Sequence, residues 1–381
     1  MKLRSKYVLI DGAFIEKTIV VEQGSIIAIT DDEIVDLHYG DQYIVPGFID
    51  VHLHGCYGVN SMDQPSEALR VMSEKLLREG VTSYLPTTTS LDVETIQETL
   101  HEIGDYIERQ PLHGAEVLGI HLEGPFLATK YAGAQQAQYL TDASIEAYQA
   151  FQNAAKNHIR YLTMATERDE AFALLNYIRK YDPKTKVSIG HSAASLAQAN
   201  AAIEHGVSSI THLFNGMAPL HHRDANLALC GLLNDEVYVE ITADGFHVDF
   251  EMIKLVLKCK PLDKIVLITD ANQTKGLGAG RYNLNGREVE VDQFGVARIA
   301  ATGSLAGSTA RLDACIRNMI QHCGVSAADA FAMASRNPAA MLQLDRKGTI
   351  AIGYDADLTI LNQAFQVQAA VCRGVLREDI R

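Results

Sequence analysis

Short apolar runs alternate with longer amphipathic stretches through the middle of the chain. Runs rich in β-branched residues predict buried strands, and apolar residues spaced three and four apart predict helices. The eight strand candidates are GFIDVHLHG, TSYLPTTTS, EVLGIHLEGPF, IRYLTMATE, KVSIGHS, SSITHLFNGM, VYVEITADGFH and KIVLITDAN. Helical patterns lie between them, namely SEALRVMSEKLLREG, VETIQETLHEIGDYIERQ, RDEAFALLNYIRKY and LAQANAAIEHG. Gly80 and Gly206 are expected to close two of these helices.

This alternation predicts an α/β fold, a TIM-like (β/α)8 barrel, with a doubly wound open sheet as the alternative. After the eighth run, GRYNLNGREVEVDQFGVARI predicts a β-hairpin insertion. Both ends of the chain instead predict antiparallel strands, with turns at Gly12 and Gly24. We therefore expect two domains: a small β-sandwich domain formed by residues 1–45 and 348–381, and a barrel formed by residues 46–347.

Composition narrows the class of protein. The 381 residues are 47% hydrophobic and 21% charged, as in ordinary globular proteins. No apolar run approaches the roughly 20 residues of a membrane span, and the N-terminus has no signal-peptide pattern, so a cytoplasmic protein is expected. The formal charge of −14 argues against nucleic acid and membrane partners but allows a small anionic ligand. Six cysteines without a CxxC pair predict neither a disulfide framework nor a cysteine zinc site.

Polar residues stand at the ends of six predicted strands, where barrels collect reactive groups. They are His52 and His54 on the first, Glu123 on the third, His191 on the fifth, His212 on the sixth, His247 on the seventh and Asp270 on the eighth. Singly, each has an ordinary explanation as a hydrogen-bonded histidine or a helix N-cap. The one-residue spacing in HLHG, however, puts both imidazoles on one side of a strand. Together these residues predict a divalent metal such as zinc.

Such a site also predicts a type of chemistry. A bound metal ion lowers the pKa of its water from about 15.7 toward about 7, so that hydroxide attacks a carbonyl at neutral pH. A neighbouring carboxylate, for which Asp270 is the candidate, takes the proton and passes it to the leaving group. A nearby histidine polarises the carbonyl oxygen or binds the oxyanion. The residues themselves predict metal-assisted hydrolysis without naming the substrate.

The motifs PGFIDVHLHG, HLEGPF, GHS, THLFNGM, ADGFHVD and TDA, in this order, resemble the amidohydrolase superfamily. They resemble most closely its N-acetylglucosamine-6-phosphate deacetylases, over nearly the whole chain. Other branches bridge two metals with a lysine on the fourth strand, and IRYLTMATE has none. The resemblance implies an enzyme that removes acetate from N-acetyl-D-glucosamine 6-phosphate and leaves D-glucosamine 6-phosphate.

The resemblance also implies one or two metal ions per chain, zinc first, with iron(II), manganese or cobalt as alternatives. The implied ligands of the main ion are Glu123, His191 and His212. The implied ligands of a second ion are His52 and His54, with Glu123 as the bridge. Asp270 is implied as general base and acid, and His247 as the contact to the sugar or the carbonyl.

Further residues are implied as substrate contacts. The residues expected to hold the phosphate are Asn215, Gly216 and Arg223. The planar guanidinium of an arginine can donate hydrogen bonds to two phosphate oxygens at once. Without the resemblance, a solvated loop side chain is the preferred explanation of Arg223. The remaining contacts are Ala134, Gln135, Leu305, Ala306 and Gly307. Gln135 stands where the family often has a histidine, and glutamine hydrogen-bonds without carrying charge.

Three questions stay open at this point. His121 either orients a metal ligand or is simply packed and hydrogen-bonded. The family's homodimers imply a dimer here, in which Arg223 reaches the neighbour's site. The alternatives for function are an amidohydrolase acting on a related N-acetylated amino sugar, either galactosamine phosphate or a nonphosphorylated one, and a catalytically silent binding protein on the same fold.

Overall fold

The structure is a computed structural model that describes residues 1–109, 111, 114–284 and 286–378. Its strands in these ranges are β1 Lys2–Ile10, β2 Ala13–Glu22, β3 Ser25–Thr30, β4 Leu37–His38, β5 Tyr43–Pro46, β6 Phe48–Leu53, β7 Gly55–Cys56, β8 Val59–Asn60, β9 Val81–Pro86, β10 Glu116–Val117, β11 Ile120–Glu123, β12 Ile159–Met164, β13 Lys186–Ile189, β14 Val207–Ile210, β15 Tyr238–Ile241, β16 Ile265–Leu267, β17 Gly280–Leu284, β18 Arg287–Val291, β19 Ala297–Ile299, β20 Leu358–Leu361, β21 Val367–Cys372 and β22 Val375–Arg377. Its α-helices there are α1 Pro65–Leu76, α2 Val93–Arg109, α3 Ile145–Ala154, α4 Ala173–Tyr181, α5 Leu196–Glu204, α6 Leu227–Leu233, α7 Phe250–Cys259, α8 Leu312–Cys323, α9 Ala327–Met333 and α10 Arg336–Leu342.

Parallel strands in chain order form the centre of the molecule. Strands β11 to β16 make one six-stranded parallel sheet, and β6, β9 and β10 make another. Single parallel bridges, Thr87 to His121 and Leu53 to Ala271, connect the two sheets at both edges. All eight predicted runs lie on these strands, so the predicted α/β class is confirmed. The order has no reversal of the kind that defines a doubly wound sheet.

Burial explains why these runs become strands. Every residue of β6, β9 and β11 is buried, as expected for parallel strands covered on both faces. The flanking helices bury one side only, and α2 turns Ile96, Leu100 and Ile103 inward at helical spacing. Gln110, which ends the predicted helix, lies outside the described residues. Gly80 and Gly206 do end helical segments with positive φ, of 75° and 118°.

The helix predicted from RDEAFALLNYIRKY begins later than its periodicity suggests. Ala171 and Phe172 have φ angles of 52° and 54°, in the left-handed region that interrupts a right-handed helix. Helix α4 therefore starts at Ala173. The carboxylate of Asp169 accepts hydrogen bonds of 3.0 Å from the backbone N–H groups of Leu174 and Leu175, which satisfies two donors of the first turn.

The two ends of the chain share one sheet. Its order is β22-β21-β20-β5-β1-β2-β3, with β4 beside β1. Strand β20 from the C-terminal end pairs antiparallel with β5, and Thr359 lies opposite Val45. A separate apolar cluster, including Leu3, Ile19 and Val371, packs under this sheet. Residues 379–381 of the expected small domain lie outside the described part.

A separate antiparallel sheet follows the last parallel strand. Strands β17, β18 and β19 pair in sequence, so the predicted two-stranded hairpin is a three-stranded sheet. Asn285, in the turn between β17 and β18, is outside the described residues. Over the ranges that the structure describes, no helix has the length and apolar character required to cross a membrane.

Candidate metal centre and active site

The carboxylate of Glu123 lies at the centre of the converging strand ends. Its Oε1 lies 3.3 Å from Nε2 of His191 and 3.4 Å from Nε2 of His212. The same oxygen is 3.6 Å from Nε2 of His52, and Oε2 is 3.4 Å from Nε2 of His54. The structure therefore brings all five residues predicted as metal ligands into contact, and all five are buried.

The backbone turns sharply where three of the strand-end residues stand. His191, His212 and Asp270 have φ angles of 47°, 33° and 48°, in a region that non-glycine residues seldom occupy. Such conformations persist where the surrounding structure holds them, and they concentrate at functional sites. At Asp270, the backbone N–H donates to the carbonyl of His52 at 2.8 Å, which ties the first and eighth parallel strands together.

The donor atoms fit a divalent cation. The groups His52, His54, Glu123 and Glu123, His191, His212 each present ligand atoms within 4.8 Å of one another. His52 Nε2 and Glu123 Oε1 are buried, and no hydrogen-bond partner lies within reach among the described residues. Nε2 of His191 and Nε2 of His212 are 3.1 Å apart. Two ligands bound at about 2.0–2.1 Å to one tetrahedral ion lie roughly 3.3 Å apart, close to this separation.

Hydrogen bonds at Nδ1 of two imidazoles leave their Nε2 atoms free to bind a metal. Nδ1 of His191 lies 2.7 Å from the carbonyl oxygen of Tyr131, an acceptor that requires the proton on Nδ1. Nδ1 of His52 lies 3.0 Å from the carboxylate of Glu240. In both rings a proton on Nδ1 leaves the Nε2 lone pair facing Glu123, which is the arrangement of metal-ligating histidines.

The site is strongly polarised. Burial disfavours charge on Glu123, but the charge of His52 and the close contacts with His191 and His212 outweigh it and hold the pKa of Glu123 well below its usual value. Burial likewise lowers the pKa of His52, yet the carboxylates around it, led by Glu123, raise that pKa to about 10. Negative charge that raises the pKa of His52 this far also favours a metal cation in place of the proton.

Asp270 lies beside the same histidines. Its Oδ1 is 3.4 Å from Nε2 of His54 and 3.6 Å from Nε2 of His52. Burial would raise the pKa of Asp270, but the charge of His52 and the hydrogen bond from His54 outweigh it and lower the pKa to about 2. The carboxylate is therefore ionised at neutral pH, as a proton acceptor must be.

His247 is held at one nitrogen and unpaired at the other. Nδ1 lies 2.7 Å from Oδ2 of Asp244, whose Oδ1 accepts the backbone N–H of His247 at 2.8 Å. Burial lowers the pKa of His247, and the contact with Asp244 outweighs it and raises the pKa overall. Its buried Nε2 has no hydrogen-bond partner among the described residues and lines the cavity. In the protonated imidazole, which the raised pKa favours, this nitrogen carries a proton and is suited to donate to a carbonyl oxygen.

Sequence reasoning missed Asp244 and Glu240. The Glu240 carboxylate is fully buried, 3.0 Å from Nδ1 of His52, and it accepts hydrogen bonds from the His212 backbone N–H at 3.1 Å and the Tyr161 hydroxyl at 2.6 Å. It thus orients two predicted ligands at once. One signal was available, because a glutamate inside the apolar run VYVEIT is unusual in a strand buried on both faces.

A cavity of about 290 Å³ opens above these groups. Eight of the nine residues predicted as substrate contacts line it, namely Ala134, Gln135, Asn215, Gly216, His247, Leu305, Ala306 and Gly307. Arg223 is not among the lining residues; its side chain is exposed, with Nη1 2.8 Å from Nε2 of His222. The contact between Arg223 and the phosphate therefore stays a prediction, because Arg223 does not line the cavity of its own chain.

Gln135 has a different environment from the one expected of a substrate contact. Its Oε1 accepts the backbone N–H of Ser90 at 2.7 Å, which fixes the orientation of the amide, and its Nε2 donates to Oε2 of Glu123 at 2.8 Å. His121 is packed and hydrogen-bonded, because its nitrogens contact Val51 O, Thr87 Oγ1 and Thr163 Oγ1. Its ring also packs against that of His52, with ring centroids 4.6 Å apart, so its role in orienting a ligand stays a prediction.

Comparisons with known proteins agree with this geometry. Residues 43–377 match the Amidohydrolase family, and the chain belongs to that family. An N-acetylglucosamine-6-phosphate deacetylase of Bacillus subtilis (strain 168) is 36% identical, over 88% of this chain and 84% of that protein. An N-acetylgalactosamine-6-phosphate deacetylase of Escherichia coli O157:H7 is also 36% identical, over 88% of each chain. The resemblance to N-acetylglucosamine-6-phosphate deacetylases predicted from the motifs is confirmed.

Solved structures extend the similarity to the whole fold. N-acetylglucosamine-6-phosphate deacetylase of Thermotoga maritima has a TM-score of 0.89 at 31% identity, over 99% of both chains. A variant of the Mycobacterium smegmatis deacetylase in complex with N-acetyl-D-glucosamine-6-phosphate has a TM-score of 0.90 at 28% identity, over 99% of this chain and 98% of that one. The protein is therefore a hydrolase with the amidohydrolase fold.

Proposed function

We propose that the protein hydrolyses the acetamide of N-acetyl-D-glucosamine 6-phosphate, giving D-glucosamine 6-phosphate and acetate. The observation that carries the proposal is the buried set of Glu123, His191 and His212 beside the ionised carboxylate of Asp270, in one cavity with His247. Relatives named as deacetylases of this sugar phosphate, aligned over most of both chains, support it.

Each group has a chemical task in this reaction. When bound, a divalent ion, with zinc as first choice and iron(II), manganese or cobalt as alternatives, supplies a water that ionises near neutral pH. Glu123, His191 and His212 hold it, and His52 and His54 provide for a second. Asp270 accepts the proton of the attacking water and delivers it to the departing amine nitrogen. His247 donates from Nε2 to the acetyl oxygen as negative charge develops there.

The remaining predicted contacts seat the sugar. The residues that pack against the sugar ring are Ala134, Leu305, Ala306 and Gly307. Gln135 contacts the ring with the face of its side-chain amide that does not bind Glu123. Asn215 and Gly216 face the phosphate, and the backbone N–H of Gly216 is the donor, because the Asn215 N–H donates to the carbonyl of His212 at 2.9 Å. In a homodimer, Arg223 of one protomer reaches the phosphate in its partner.

The architecture that supports this site is part of the proposal. We infer that the parallel strands within residues 46–347 form one closed (β/α)8 barrel. Residues 1–45 and 348–381 then form a small β-sandwich domain beside it. We further infer a cytoplasmic homodimer that acts on a phosphosugar, without nucleic acid or membrane partners.

One relative suggests a second substrate. The deacetylase from Escherichia coli O157:H7 named for N-acetylgalactosamine 6-phosphate is as similar as the glucosamine enzyme from Bacillus subtilis, at 36% identity. The two sugars differ in one hydroxyl configuration, which a few polar contacts can distinguish by large factors.

Acetate release from both phosphorylated sugars and from plain N-acetylglucosamine, measured with metal-supplemented protein, tests the proposal. A higher kcat/KM for N-acetyl-D-glucosamine 6-phosphate than for the other two supports it. A preference for the galactosamine phosphate or the plain sugar would transfer the activity to that substrate. No acetate from any of them, with zinc, iron(II) or manganese added, would favour a silent binding protein.

A further inference from the structure

A second cavity lies away from the candidate metal centre, at the opposite end of the parallel strands. Its volume is about 340 Å³, at the small end of the range of ligand pockets. Its lining residues come from α3 and α4 and from positions shortly after these helices, including Asn157 and Asp182. Strand β13 follows Asp182 and leads from this end to His191 at the metal centre. The two cavities share no lining residue among those described.

The lining of this second cavity combines aromatic rings with uncharged polar groups and one carboxylate. Three tyrosines, four side-chain amides and a single aspartate line it. The ring centroids of Tyr148 and Tyr177 lie 6.4 Å apart at an interplanar angle of 72°. Those of Tyr177 and Tyr181 lie 5.1 Å apart at 39°. The three ring planes are therefore inclined to one another, as in an aromatic cage for a cation.

The carboxylate of Asp182 has no cationic partner among the described residues. Its Oδ2 accepts hydrogen bonds of 2.6 Å from the Tyr148 hydroxyl and from Nε2 of Gln152, and one of 3.0 Å from the Thr185 hydroxyl. Burial, followed by the hydrogen bond to Asp182, raises the pKa of Tyr148, so its hydroxyl stays protonated as a donor. No lysine, arginine or histidine nitrogen in the described ranges lies within 4.0 Å of this carboxylate. Three neutral donors thus orient Asp182 and leave its negative charge unpaired.

An unpaired carboxylate among tyrosine rings favours an organic cation, since both attract an ammonium group. One of these rings already contacts such a group, because Nζ of Lys180, which does not line the cavity, lies 4.8 Å from the centroid of Tyr181. The exposed side-chain amides of Gln149, Asn153 and Asn157 supply donors and acceptors for hydroxyl groups. An ammonium group, several hydroxyls and a carbon face that packs on an aromatic ring occur together in an amino sugar.

We infer that this second cavity binds a small amino sugar with a free ammonium group. The ammonium group contacts the carboxylate of Asp182, and the rings of Tyr177 and Tyr181 pack against the carbon face of the sugar. The site uses neither the metal ligands nor Asp270, so it is independent of the proposed deacetylase function.

Calorimetric titration of the metal-loaded protein with D-glucosamine, at a slightly acidic pH that keeps the amine protonated, tests the inference. Asp182→Asn keeps the shape of the side chain and removes its charge, so the dissociation constant should rise roughly 10- to 100-fold. Tyr181→Ala removes a ring that is 63% exposed, so the fold should tolerate it. The loss of its cation–π contact should raise the dissociation constant roughly 2- to 5-fold. Asp235→Asn, at an exposed position after α6, is the matched control and should leave binding unchanged.

Four outcomes would count against these proposals. Failure of the wild-type protein to bind D-glucosamine, or binding that is unchanged in both variants, would overturn the inference. N-acetyl-D-glucosamine has no charge, and binding of this sugar that weakens equally in Asp182→Asn would overturn the role of the carboxylate. Choline that binds more tightly than D-glucosamine, and less tightly in Tyr181→Ala, would overturn the assignment to an amino sugar. Acetate release should stay the same in Tyr181→Ala, and its absence from the wild-type protein would overturn only the proposed deacetylase function.

Discussion

At the scale of single residues, Gln135 shows how neighbouring residues can give a side chain a role other than the predicted one. Ser90 fixes the direction of the amide, and the amide N–H then fixes Oε2 of Glu123. The other oxygen, Oε1, is left for His191, His212 and His52. Gln135 thus positions the carboxylate that both candidate ligand groups share, and its substrate contact stays a prediction.

Gln135→Leu should therefore weaken metal binding. Without the amide, Glu123 loses its orienting donor, and losses of such partners typically cost about 10- to 100-fold in metal affinity. Competition of the bound metal with a chelator, followed over chelator concentration, measures the change. Gln138→Leu, at an exposed position on the same segment, is the control. Equal chelator sensitivity in the Gln135 and Gln138 variants would show that Glu123 is held without Gln135.

The strand-end histidines and carboxylates could be predicted from sequence because each follows a recognisable apolar run. Their hydrogen-bond partners were not predicted. Glu240 and Ser90 meet them through tertiary packing, whereas Asp244 lies three positions before His247 in the chain. The identity of Gln135 was visible, but its direction depends on a backbone N–H forty-five positions away in the chain.

At the scale of elements, the end of β6 decides between one and two metal ions. His52, His54 and Glu123 form one candidate ligand group, and Glu123, His191 and His212 form the other. The two groups share Glu123. Glu240 holds His52 in a ligating orientation, which supports a ligand role over mere lining of the cavity.

The double variant His52→Ala and His54→Ala should lose one metal ion per chain and keep the ion at Glu123, His191 and His212. Elemental analysis of purified wild-type and variant protein counts the ions directly. His38→Ala, on a short strand of the terminal sheet, is the control for losing a histidine elsewhere. A metal count that is unchanged in the double variant would mean that the pair only lines the site.

Element boundaries were harder to predict than element types. The eight parallel runs were predicted correctly because β-branched apolar runs have few other structures available in a soluble chain. The start of α4 was wrong because helical periodicity continues through Ala171 and Phe172, whose left-handed backbone leaves no trace in the hydrophobic pattern. The third strand of the insertion was missed because its register is set by pairing with β18.

At the scale of the whole molecule, a buried ion cluster connects the terminal sheet to the parallel strands. Nζ of Lys347 lies 2.6 Å from both Glu116 and Asp357, and 3.2 Å from Asp355. The three carboxylates alone resemble a cation site, but the ammonium group already stands among them. Burial opposes the charge of Lys347, and Asp357 and Glu116 outweigh it and raise the lysine pKa, so the cluster persists to alkaline pH.

The arrangement of the whole chain explains why the reactive groups meet. Sequential parallel strands bring their C-terminal ends to one side, where His52, Glu123 and Asp270 from distant parts of the sequence come within a few ångströms. The antiparallel sheet of β17, β18 and β19 and the loop that follows it add Arg287 and Leu305 to the cavity.

The central claim is that Asp270 moves the proton in a metal-dependent deacetylation. The most direct test measures acetate release from N-acetyl-D-glucosamine 6-phosphate together with metal content, in wild-type protein and in Asp270→Asn. We predict an unchanged metal content and a fall in kcat of roughly 10²- to 10⁴-fold, because asparagine is similar in shape but accepts no proton. A metal-replete Asp270→Asn protein that turns over at nearly the wild-type rate would contradict the claim.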